Sequence, residues 1–112
     1  MNYKIITYAL FDEQIKRLAK KYKNIRADFK KLMDEVAKNP SLGTDLGGGF
    51  RKIRMPISDK NKGKSAGARV ISLTIIVSID ETNIGFFFIY DKSERSNVTT
   101  KDLQTIRKRY GI

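Results

Sequence analysis

Residues 68–90 read ARVISLTIIVSIDETNIGFFFIY and hold two strand patterns joined by a turn. Between Ala68 and Ile79 the odd positions Ile71, Leu73, Ile75, Val77 and Ile79 are apolar, and the even positions include Ser72, Thr74 and Ser78. A period of two in β-branched residues marks a strand. Asp80-Glu81-Thr82-Asn83 has the composition of a turn. Ile84–Tyr90 is continuously apolar apart from Gly85, as a central strand should be. Phe86, Phe87 and Phe88 could stack on bases, but consecutive aromatics on a central strand serve first as core.

Upstream, Phe50–Ile57 alternates as well. Ile53, Met55 and Ile57 share one face, while Phe50, Lys52 and Arg54 share the other. Three successive strands with short turns make an antiparallel meander. At the N-terminus, YKIITY (Tyr3–Tyr8) reads as a further short strand. Phe11, Ile15, Leu18 and Tyr22 then fall on one helical face, and Ile25, Phe29, Leu32 and Val36 repeat the pattern after a break at Asn24, a plausible N-cap. The second helix must stop near Asn39-Pro40, because proline cannot continue it. Gly43–Gly49, with three glycines in a row at its end, reads as a tightly turned or flexible connection. Thr99-x-x-Asp102 resembles a capping box, opening a last helix that carries Leu103, Ile106 and Tyr110. The expectation is one α+β domain over residues 1–112: an N-terminal strand and helical hairpin packed on an antiparallel sheet, with a C-terminal helix.

Charge is the other informative feature. The chain has 112 residues and a formal net charge of +11. Residues 51–69, RKIRMPISDKNKGKSAGAR, hold Arg51, Lys52, Arg54, Lys60, Lys62, Lys64 and Arg69 against Asp59 alone. Residues 1–49 have ten positive and six negative side chains, and residues 70–112 six and five, so the excess is concentrated. A solvated loop is the plain reading of a lysine-rich stretch. Such concentration instead suits a polyanion, phosphate above all. Gly63 and Gly67 are read here as letting the loop approach a phosphate backbone. A phosphate-binding P-loop at Gly63-Lys64-Ser65 is excluded, because Ser58 stands where the first glycine is needed and a strand follows instead of a helix.

Cysteine and histidine are both absent. That removes thiol nucleophiles, cysteine- or histidine-ligated metals and the usual neutral-pH base. Neither a metal nor another cofactor is expected. Any acid–base chemistry falls to Lys, Arg, Tyr, Asp or Glu. No stretch approaches the ~18 apolar residues of a membrane span, so a cytoplasmic protein without a membrane partner is expected.

FRKIRM (50–55), the glycine-containing basic loop, GARVISL (67–73) and FFFIYDKSERSNVTT (86–100) together resemble the RelE/ParE superfamily of bacterial type II toxins, in particular its HigB/RelE-like branch, whose members carry a GKGK-like loop followed by GxR. The resemblance implies a ribosome-dependent mRNA endoribonuclease that inhibits translation, with the ribosome and mRNA as partners. It also implies neutralisation by a cognate antitoxin, here expected to be of helix-turn-helix type. The family's strand pair of basic residues falls on Lys52 and Arg54, and its next arginine on Arg69. Its later arginine falls on Ser93, with Lys92 and Arg95 nearby, and its tyrosine on Thr99.

The chemistry of the residues then assigns roles. Arg54 and Arg69 would clamp phosphate, because a guanidinium fork matches its oxygens. Lys52, crowded by Arg51 and Arg54, is the candidate base, and Lys92 the candidate proton donor or second clamp. Arg51, Lys60, Lys62, Lys64, Tyr90 and Arg95 are expected to bind RNA or the ribosome. One objection stands: alternation puts Arg69 on the face of Ile71, whereas Lys52 and Arg54 oppose their strand's apolar face, so a bulge near Gly67, or a position just beyond the sheet edge, would be needed to unite them. Two other functions remain open, a ParE-like toxin that targets gyrase without cutting RNA, and a non-catalytic basic module that binds nucleic acid.

Overall fold

The computed structural model describes residues 2–60, 66–95 and 97–111. Its elements run β1 (Asn2–Thr7), α1 (Ala9–Ala19), α2 (Ile25–Lys38), β2 (Thr44–Gly47), β3 (Phe50–Met55), a 3-10 turn (Ser58–Lys60), β4 (Ala68–Ile76), β5 (Glu81–Asp91) and α3 (Thr100–Tyr110). The α+β class and this order agree with the sequence pattern. The five strands form one sheet in the order β1-β5-β4-β3-β2.

Two details differ from expectation. The sheet is mixed, because β1 pairs in parallel with β5, from Asn2↔Glu81 to Thr7↔Phe86, whereas every other pair is antiparallel. The glycine-rich connection also yields a short edge strand, β2, whose Thr44 pairs with Lys52. Gly47, Gly48 and Gly49 all have positive φ and make the turn that returns the chain to β3. At the other hairpin, β4 ends at Ile76, and Val77 and Ile79 are exposed. The alternating pattern outruns the strand there because the chain must reverse onto Glu81, whose carbonyl accepts from the Val77 and Ser78 amides.

Helices cover both faces of the sheet. Phe11, Ile15, Leu18, Ile25, Phe29, Leu32 and Val36 from the helical hairpin pack on Ile53, Met55, Val70, Ile84, Phe86 and Ile89. The opposite face carries Phe50, Ile71, Leu73, Phe87 and Tyr90 beneath Ile106, Leu103 and Tyr110 of α3. Each face thus buries its own apolar set, which is the main stabilising term. The three phenylalanines divide between them. A bulge opposite Ile71 and Ser72 leaves Phe87 as the extra residue of β5. Phe86 therefore faces the hairpin, while Phe87 and Phe88 both turn toward α3. At Gly85 an added methyl would collide with the Tyr8 ring, which stacks on Phe87 with centroids 4.0 Å apart. The capping box is formed: the Thr99 hydroxyl accepts from the Asp102 amide, and the Asp102 carboxylate accepts from the Thr99 amide. Among the described residues no helix is long and apolar enough to cross a membrane.

Candidate functional site

On the α3 face, at one end of the sheet, lies a cleft of about 220 Å³ lined by Thr44, Lys52, Arg54, Arg69, Lys92 and Asn97. All four residues assigned to chemistry from the sequence line it, and no acidic residue does. The bulge expected near Gly67 is not needed. Phe50 and Ile71 are both core of the α3 face, so the face of Ile71 is also the face of Lys52 and Arg54. The ladder pairs Arg54 with Arg69 and Lys52 with Ile71 in regular register. The objection rested on a sheet with one apolar face, and this sheet has two.

Arg54 is exposed, whereas Arg69 is only 5 % exposed. Burial, and then the facing Arg54, lower the pKa of the Arg69 guanidinium from its ordinary value. One of its nitrogens donates to the Ala68 carbonyl at 3.1 Å. Like charges directly opposite in a ladder oppose folding, so the pairing costs stability and is offset elsewhere in the fold. Lys52 Nζ donates to Asn97 Oδ1 at 3.2 Å. Lys92 is exposed in the turn after β5, its amide donating to the Gly67 carbonyl at 3.1 Å. Gly67 itself is buried, and an added methyl would strike the Met55 carbonyl. It therefore serves the close approach of the chain to β3, not the approach to a phosphate backbone.

The residues expected to bind RNA scatter. Arg51 lies on the hairpin face and donates to the Ser41 carbonyl at 2.9 Å. Lys60 turns inward: its Nζ meets Asp91 Oδ1 at 2.6 Å and the Ala66 carbonyl at 3.0 Å. Asp91 is fully buried and also accepts from the Tyr22 hydroxyl at 2.5 Å and from the Ser93 amide and hydroxyl. Burial alone would push its carboxyl up, but Lys60, Tyr22 and Ser93 together hold it well below the usual carboxylate range. Arg95 pairs with Asp102, donates to the Asn97 carbonyl and stacks over Phe88 at 5.1 Å, so it acts as a strut beside the cleft. Tyr90 is buried under that strut, and burial raises its phenol pKa against the opposing pull of Arg69 and Arg95. Among the described residues its hydroxyl has no hydrogen-bond partner, and the nearby Val98 amide donates to Asn97 Oδ1. Lys62 and Lys64 lie outside the described residues.

Two lining residues were missed, Thr44 and Asn97. Neither has a sequence signal: one sits in a glycine-rich connection, the other in a polar run before a helix.

No curated protein matches the chain. Residues 9–111, nearly its whole length, match the family model described as RelE toxin of the RelE/RelB toxin–antitoxin system. The chain belongs to the RelE toxin family, whose assignment implies a RelB-type antitoxin as its cognate partner.

Proposed function

We propose that this protein inhibits translation as a ribosome-dependent mRNA endoribonuclease, acting in the cytoplasm and needing no metal or other cofactor. The observation that carries the reading is the cleft, in which two arginines face one another across a ladder beside two lysines with no acid among them. Such an arrangement is stabilised when a phosphodiester enters it. Family membership supports the same reading.

In this mechanism Arg54 and Arg69 grip the non-bridging oxygens of the scissile phosphate and offset charge that builds on them. Lys52 in its neutral form takes the proton of the 2′-hydroxyl. The freed oxygen attacks phosphorus, a P–O2′ bond forms and the P–O5′ bond breaks. Lys92 gives a proton to the departing 5′ oxygen. The products are a 2′,3′-cyclic phosphate and a 5′-hydroxyl. Alignment of the attacking oxygen is left largely to the ribosome-held mRNA.

The basic loop and Gly67-Ala68-Arg69 support assignment to the HigB/RelE-like branch, and a helix-turn-helix antitoxin goes with that assignment. Expression of the toxin alone should arrest growth, and co-expression of its antitoxin should restore it. Mapping of mRNA ends after induction tests the reaction. Arrest with intact mRNA and inhibited gyrase would replace this reading with the ParE-like one, and normal growth with abundant folded protein would leave only a basic binding module.

A further inference from the structure

Asn97 stands out in the cleft as an uncharged group in direct contact with Lys52. Its Oδ1 receives the Lys52 ammonium at 3.2 Å and the Val98 amide at 2.9 Å. Both partners are donors, which fixes the side-chain oxygen toward Lys52. Its backbone carbonyl accepts from Arg95 Nε at 3.0 Å, and Arg95 is in turn held by Asp102 and by the Phe88 ring. Asn97 is thus a fixed acceptor on a braced segment, while Lys52 projects from the middle of β3.

We propose that Asn97 is a positioning residue that holds Lys52 at the reacting phosphate through a neutral acceptor, so that the lysine is oriented without being locked in its charged form. This rests on Lys52 being the base. A half-buried lysine otherwise still samples several rotamers, and ordering it carries an entropic cost. A carboxylate could order it equally well, but would favour the ammonium, which cannot accept a proton. Among the described residues the other charges around Lys52 are cationic or already engaged. Arg54 projects from β3, Arg69 from β4 and Lys92 from the turn after β5, while Arg95 and Asp102 pair with each other beside α3. Asn97 is hydrogen-bonded to Lys52 and can steer it without adding a negative charge.

The test compares Asn97→Asp with the unchanged chain in a reconstituted translation reaction. Aspartate keeps both acceptor contacts and nearly the same shape, so melting temperature and ribosome affinity should not change. The rising limb of the pH–rate profile for cleavage should move up by about one pH unit, which lowers kcat about tenfold at a fixed pH on that limb with KM unaltered. Asn97→Ala should lower kcat without moving the limb. Independently of the ribosome, trace acetylation of the free toxin should label Lys52 about tenfold more slowly in Asn97→Asp, because only the neutral amine reacts. An unshifted profile and unchanged Lys52 labelling in Asn97→Asp would overturn the proposal while leaving the endoribonuclease reading intact. Absence of cleavage by the unchanged chain would instead remove the endoribonuclease reading, and with it the assigned role of Asn97.

Discussion

Arg54 and Arg69 oppose each other across the β3–β4 ladder, and the two differ in what else they do for the fold. The exposed Arg54 contributes little beyond its charge, whereas the stem of Arg69 is buried. Arg54→Thr replaces it with a β-branched residue suited to a strand and removes the repulsion. Its thermal midpoint should stay level or rise, by up to about 0.5 kcal/mol of stability, while mRNA cleavage falls by roughly two orders of magnitude. A loss of both stability and activity would mean that Arg54 is a structural residue. Arg69→Ala should lose as much cleavage but also cost about 1–2 kcal/mol, since its aliphatic stem packs against neighbours. Activity in that variant must therefore be expressed per folded molecule. Alternation in the sequence puts Arg69 on the face of Ile71, and the structure shows that this face is covered and the arginine buried.

The Asp91 network ties together the 3-10 turn through Lys60, the connection between α1 and α2 through Tyr22 and the turn after β5 through Ser93. Because the carboxyl is held below its ordinary range when folded, its contribution to stability is fully present above the unfolded carboxylate range. It is lost as pH falls through that range toward the folded value. Asp91→Asn should flatten the decline of the thermal midpoint between about pH 5 and 2, and at neutral pH should cost about 3 kcal/mol by leaving Lys60 without its counter-charge. A variant as acid-sensitive as the parent would assign acid denaturation to other carboxylates. At α3, Thr99→Ala should cost about 1 kcal/mol by opening the capping box, measurable in the same melts. How these elements could be read from sequence follows their chemistry. Periodicity in Phe11–Val36 and the Thr99-x-x-Asp102 pattern suffice for the helices, because local spacing and local caps determine them. The split of Phe86 from Phe87 and Phe88 depends on a bulge that no local pattern announces. The partners of Lys60 are likewise tertiary, since Asp91 lies 31 residues away. A count of charges cannot tell a lysine that greets solvent from one that neutralises a buried acid.

With a net charge of +11, the molecule as a whole attracts any polyanion, but a general field and a binding site respond differently to substitution. Lys20→Ala, on the exposed end of the first helix, removes one charge from a field that salt screens within about 10 Å. It should leave cleavage nearly unchanged, whereas Lys52→Ala should lower it by roughly two orders of magnitude. The same distinction bears on how the antitoxin works. An acidic partner drawn by the net charge could dock on several faces, yet only one that covers the cleft, or displaces the Arg95–Asp102 strut beside it, stops the chemistry directly. If it covers the cleft, Lys52 and Lys92 should become protected from acetylation in the toxin–antitoxin complex, while Lys16, Lys20 and Lys31 on the outer faces of the helices keep their reactivity. Association should slow steeply with added salt and dissociation should change little, because screened attraction governs encounter more than the closed complex. If Lys52 and Lys92 stay as reactive in the complex as in the free toxin, occlusion is wrong. Neutralisation would then have to act by barring the toxin from the ribosome through another surface.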